Sequence, residues 1–320
     1  MARIISLLLT TSGACLVMSL FPSLAWLGGI AWGIALFLGG HAVDRRLLVS
    51  VAGSNVLLLF GLSGNSNLFL IMSVGLPALV MGLLLSDGRD FYEIQKWGVL
   101  AAVLLVVLYW SLAQYSDDPR VRFWDQSQME AYVAESLKTS QDMGLVEVYI
   151  QQGLSREELE QDIVLAARWL YMHLPALYMI NVLFGIWMIL RLGAIIGARR
   201  GLSGLKPKPY SEEIMPWQLS WLVIVALALW LWGRDEPSNI YNWASNVLVV
   251  MIPVTAYFGL AVQAYKLGKM KPSTRRWGWA IFMVVALLFT PLAIVFISFL
   301  GLFDSLVDYR KLNQAKEATP

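Results

Sequence analysis

The sequence predicts an all-α fold: a polytopic transmembrane helix bundle of about nine spans, between eight and ten, with a small extracytoplasmic helical segment between two membrane halves. Three observations carry that prediction. The chain of 320 residues is 58% hydrophobic and only 14% charged, with a mean hydropathy of +0.62. Ordinary globular domains are about a quarter charged, so lipid must replace water over much of this surface. The apolar residues fall in runs of near-membrane length separated by polar turns. One long polar stretch, 113–168, interrupts the runs and carries half of the acidic residues.

The first run, 4–20, follows Arg3 and ends at Phe21-Pro22. Two readings stay open for it. One is a transmembrane helix; the other is a signal peptide cleaved after Ser23-Leu24-Ala25. The second run, 24–38, is rich in Gly and Ala, which let helix backbones approach closely in lipid. A polar turn with Arg45 and Arg46 leads to 47–62, and Gly64-Asn65-Ser66-Asn67 leads to 68–85, where Pro77 predicts a kink. The fifth run is 97–112. Several runs hold only about 16 residues, short of the roughly 20 that span a bilayer, so they borrow polar flanks or thin the bilayer locally.

In the central stretch, 116–122 reads as a loop, and 126–137 and 143–152 as amphipathic helices. Ser155 and Glu158 have the spacing of a capping box. The helix they open meets no breaker before Pro175, which predicts one long helix over 156–195 kinked at that proline. The remaining runs are 169–190, 217–232, 243–265 and 277–302, the last with Pro291 inside, followed by a polar tail from 303 that frays at its end. The expected organisation is therefore an N-terminal membrane half (1–112), the acidic segment (113–168), a C-terminal membrane half (169–302) and the tail (303–320).

Charge sets the expected orientation. With the N-terminus in the cytoplasm, the two short basic loops, 191–208 and 266–276, fall on the cytoplasmic side and 113–168 falls outside, as the positive-inside rule requires. This implies the bacterial inner membrane, with anionic lipid headgroups against the basic loops and no nucleic-acid partner. A ninth crossing places the tail outside; one crossing fewer returns it to the cytoplasm.

No Asp, Glu, Lys or Arg lies deep inside a run, which argues against a pump. The polar residues left there are Asn55, His173, Asn181, Asn246 and Gln263. They form the candidate intramembrane polar site, and interhelical hydrogen bonding is the plainer role for each. Cys15 stands alone, and His41 and His173 are the two histidines, so a multi-thiolate or histidine-based metal site is not expected. No cofactor motif, nucleophile elbow, HExxH or phosphate-binding loop is present. An intramembrane protease needs a serine beside a histidine; Ser50, Ser54 and Ser298 lie in the runs, and nothing in the sequence pairs them with His173. The expectation is a non-enzyme.

The C-terminal third resembles the YybS-like family of bacterial membrane proteins. The residues that carry this are Pro216-Trp217 with Trp221, Asn246, the stretch from Tyr257 through Gly259 to Val262, and an ending from Gly301 through Asp304, Asp308 and Tyr309 to Arg310-Lys311. In layout the N-terminal half is similar to substrate-binding subunits of energy-coupling-factor transporters and to the rod-shape protein MreD. That resemblance implies an Ala-x-x-x-Ala face for a membrane partner, and Ala31 and Ala35 have that spacing. Asp304, Asp308 and Arg310 are the family-like tail residues, for which local pairing and capping of the last helix is the plain reading. Two functions follow as expectations: a transporter-subunit-like protein binding a small solute or lipid and needing a partner, or a non-transporting scaffold for envelope proteins.

Overall fold

Prolines, glycines and capping side chains decide where the helices stop. The computed structural model describes residues 2–114, 126–144, 155–234 and 239–312, together with positions 148, 150 and 153. Among the described residues all regular structure is helical, so the all-α expectation holds. The chain forms two compact units, Met1–Gln128 with Tyr178–Pro207, and Met129–Leu177 with Lys208–Pro320.

In the first unit, α1 (Ala2–Leu20), α2 (Ala25–Ala42) and α3 (Arg45–Ser63) are followed by a short irregular stretch, α4 (Leu76–Ser86) and α5 (Phe91–Gln114). The turn after α3 rests on Gly64, whose φ of 55° is open to glycine at little cost. Before α4 the chain makes one α turn at Leu68–Leu70 and then a π-helix at Ile71–Gly75. Pro77, where a kink is expected, stands two residues after this π segment. Arg45 and Asp87 form an ion pair near the ends of α3 and α4.

Small residues set the spacing of these helices. A Cβ on Gly28 would stand 2.8 Å from Met18, and one on Gly82 would stand 2.6 Å from the Leu36 carbonyl oxygen. At Gly40 the backbones of α2 and α4 touch. Ile189 packs against Gly33 and Phe37 against Gly193, which brings the 178–207 segment into this unit.

The second unit contains most of α6 (Gln126–Asp142), which extends the amphipathic helix expected at 126–137. The loop expected at 116–122, most of 143–152 and the frayed tail end lie outside the described residues. The capping box at Ser155 and Glu158 is present in both directions and opens α7 (Arg156–Met172). The single long helix expected over 156–195 is instead two. α7 stops at His173 (φ −104°, ψ 10°), and α8 (Leu174–Arg199) begins there. Pro175 has no N–H to continue the ladder; it stands in the first turn of α8, where none is needed, and the chain leaves helical geometry at His173.

The ninth run also differs from the expectation. It is two helices, α11 (Pro272–Leu288) and α12 (Thr290–Val307), broken at Phe289 two residues before Pro291. Between α8 and α11 lie α9 (Trp217–Trp232) and α10 (Asn239–Gly268). α10 and α12 cross in backbone contact at Gly259 and Gly301.

Among the described residues seven stretches are long and apolar enough to cross a membrane, including 174–199, 239–268 and 290–307, and Trp217–Trp232 is apolar but shorter. One of the seven, 45–86, contains the turn at Gly64.

Candidate functional site

The break between α7 and α8 exposes backbone groups that an unbroken helix would pair. The carboxamide of Asn246, on α10, takes them up. Its Oδ1 accepts from the Ala176 N–H at 3.0 Å, and its Nδ2 donates to the Met172 carbonyl at 3.0 Å and the Asn242 carbonyl at 2.8 Å. Met172 and Ala176 are four residues apart, so the amide is inserted into what would be one helical hydrogen bond. Asn246 is buried, and away from water each unmet group would cost about 1–3 kcal/mol.

His173 sits in the break itself, in the sparsely used region of backbone space where many active-site residues lie. Its Nδ1 is 2.8 Å from the Trp169 carbonyl oxygen, and its Nε2 is 2.8 Å from Ser245 Oγ. A carbonyl only accepts, so Nδ1 carries the proton. In the neutral ring Nε2 is then the acceptor for the Ser245 hydroxyl. Trp169 stacks on the imidazole with ring centroids 4.4 Å apart. His173 is 8% exposed and Ser245 is half-buried.

A second polar constellation holds the tail. Arg310 Nη2 lies 2.8 Å from Asp304 Oδ2, both side chains being almost fully buried. The same guanidinium donates to the carbonyls of Ser211 and Glu213. Asp308 ends α12 in the left-handed conformation (φ 45°) and accepts from the Leu312 N–H. Tyr210 donates to the Tyr257 carbonyl at 2.6 Å.

In the first unit some buried polar atoms are left unpaired. Trp32 Nε1, Asn55 Nδ2 and Ser73 Oγ are buried without a hydrogen-bond partner, as is Gln95 Oε1. Three of the four stand at one level. Leu48 on α3 meets Gly39 on α2, and these helices are antiparallel neighbours. About two turns from that contact along each helix lie Asn55 and Trp32. Trp32 packs on Gly75 and Gly33 on Val74, beside Ser73 in the π-helix. At one end of this unit a cavity of about 750 Å³ is lined by Arg3, His41, Asp44, Arg45 and Ser86, among others.

Of the sequence candidates, His173 and Asn246 come together at the helix break, and Asp304 pairs with Arg310. Asn55 belongs to the first unit. Asn181 is exposed on α8 and Gln263 is half-buried on α10; neither joins the break. Ala31 is exposed and Ala35 half-buried. Ser50 and Ser54 bond back to their own helix, and Ser298 reaches the Ile252 carbonyl at 3.4 Å. Sequence reasoning missed Ser245, Trp32 and Ser73. The Ser245-Asn246 pair near the start of an apolar run was the available signal, because His173 lies equally near the start of its own. Among the described residues no three His, Cys, Asp or Glu side chains gather as a metal site would need.

A family model described as a predicted membrane protein (DUF2232) matches residues 8–305. No curated protein and no solved structure matches the chain.

Proposed function

The chain belongs to the DUF2232 family of predicted membrane proteins, and from that premise we propose that it binds a small polar solute or lipid within its first unit and works with a membrane partner. The observation that carries this reading is the level of unpartnered buried groups formed by Trp32 Nε1, Asn55 Nδ2 and Ser73 Oγ. All three have a hydrogen to donate. Native interiors leave few such groups unmet, and a ligand with carbonyl or carboxylate oxygens would meet them. The adjoining π-helix supports the reading, since such segments recur at functional sites.

The protein sits with its N-terminus in the cytoplasm of a bacterium and 113–168 outside its inner membrane; the charge asymmetry supports that orientation. A partner is needed because the sequence has no ATP-binding motif. The exposed Ala31 and half-buried Ala35 offer it a close-packing face, in keeping with the resemblance of this half to energy-coupling-factor subunits. A scaffold role is the second reading, favoured by the acidic segment and by α6 within it.

Mass spectrometry of the protein purified from native membranes in mild detergent tests the proposal. One stoichiometric metabolite or lipid, lost on Asn55→Leu, supports it, as does a co-purifying ATPase. An empty protein accompanied by envelope-synthesis proteins would point to the scaffold.

A further inference from the structure

Ser245 and His173 have the arrangement of a nucleophile and its general base, and we infer that they form a catalytic dyad that cleaves acyl esters of membrane lipids. This inference concerns the second unit and is independent of the binding role proposed for the first. A serine is a weak nucleophile until a positioned base accepts its proton, and the base must itself be oriented by a third group. Both requirements are met. Ser245 Oγ is 2.8 Å from His173 Nε2, within the reach a general base needs. The Trp169 carbonyl, 2.8 Å from Nδ1, fixes the tautomer that leaves Nε2 free to accept. The Trp169 ring, stacked on the imidazole, restrains its rotation. Asn246 is a positioning residue, because it holds open the helix break in which His173 stands.

The surroundings select the substrate. Trp169 and Trp243 are about half exposed, 50% and 48%, and tryptophans of this kind mark the level of the membrane–water interface. Lipid ester carbonyls lie at that level, between headgroup and acyl chain. Ser245 Oγ adds to the ester carbonyl carbon while its proton passes to His173 Nε2. The tetrahedral adduct collapses by breaking the bond to the glycerol oxygen, which leaves with the proton from His173. The acyl group stays on Ser245. Water then adds to the acyl carbon and gives its proton to His173. The bond to Ser245 breaks, a fatty acid leaves, and the proton returns to Ser245. No co-reactant other than water is consumed.

The test uses the full chain in mild detergent, treated with an alkyl fluorophosphonate and digested for mass spectrometry. A single adduct on Ser245 is expected. It should be absent in Ser245→Ala, form at least about 100-fold more slowly in His173→Gln, and persist in Ser298→Ala. Ser245→Ala loses one hydroxyl and keeps the Asn246 bonds, so its elution and melting should match the parent. No adduct on Ser245 in the folded parent, or undiminished labelling of His173→Gln, overturns the dyad. Reconstitution in vesicles of phosphatidylethanolamine and phosphatidylglycerol tests the substrate. Equal release of fatty acid and lysophospholipid, lost in Ser245→Ala, supports the ester; a protein that labels but leaves these lipids intact, or cuts a membrane-spanning peptide instead, overturns it.

Discussion

Arg310 and Asp304 form an ion pair buried almost completely, with Nε and Nη2 of the arginine both facing the carboxylate. The guanidinium also reaches the carbonyls of Ser211 and Glu213, nearly a hundred residues earlier. The pair therefore does more than close the last helix. It fastens the 208–216 connection to the chain beyond α12.

Removing one partner of such a pair leaves a buried charge unmet, which costs about 3–5 kcal/mol. Asp304→Ala and Arg310→Ala should each lower the melting temperature in detergent by that order of stability. The double variant should lose much less than the sum of the two. Additive losses would show that the two side chains act independently.

Asn246 both donates and accepts at the α7–α8 break. Asn246→Asp replaces its donor with a carboxylate oxygen facing the Met172 and Asn242 carbonyls. It should be the more damaging change, at about 2–4 kcal/mol, from lost bonds and a buried charge together. Asn246→Ala should be milder, because Met172 and Ala176 are four apart and can pair directly. Melting in detergent reads the difference: a larger drop for Asn246→Asp, whose carboxylate still accepts from Ala176 but faces the Met172 and Asn242 carbonyls, than for Asn246→Ala.

Glycines at helix crossings should tolerate no methyl group. Gly301→Ala places a Cβ against the Thr255 carbonyl oxygen and 2.7 Å from the Gly259 nitrogen. Separating the helices should cost about 1–3 kcal/mol. Gly53 and Gly61 on α3 have nothing within 4 Å of the added carbon, and alanine there should stabilise by about 0.5–1 kcal/mol through helix propensity. Equal melting of Gly301→Ala and Gly53→Ala would contradict the close crossing.

The capping box gives α7 a pH-dependent start. Hydrogen bonds from the Ser155 side chain and backbone hold the Glu158 carboxyl below the ordinary glutamate range. A carboxylate with a depressed value in the folded state stabilises above its unfolded value and loses that contribution as pH falls through the folded one. Protection of the amides over 155–159, taken relative to their intrinsic exchange rate at each pH, should therefore be high at neutral pH and fall in acid, below the usual glutamate titration. Glu158→Gln should flatten this dependence.

Hydropathy and charge were sufficient for the all-helical membrane architecture and the cap at Ser155. Each is a local property, written in the composition of a run or in residues three apart. Proline positions carried part of the rest: Pro175 and Pro291 marked the breaks, yet a proline alone does not say whether a helix bends or stops. That depended on what met the freed backbone, and for α7–α8 the answer is Asn246, some seventy residues away.

The polar residues show the same division. Asn55, His173, Asn246, Asp304 and Arg310 were visible as polar groups in apolar surroundings or in a distinctive tail. Their partners were not, because hydrogen bonds between helices depend on rotation and crossing, which hydropathy does not encode. Ser245 meets His173 because Asn246, next to it on α10, locks the two helices in register. Trp32 and the neighbourhood of Ser73 meet through close glycine packing at Gly33 and Gly75, and both polar atoms are left without partners there. Residue types along the chain thus specified a membrane bundle and its polar inventory; the packing of small residues, acting over distances in sequence that no local pattern spans, chose which of those polar groups met.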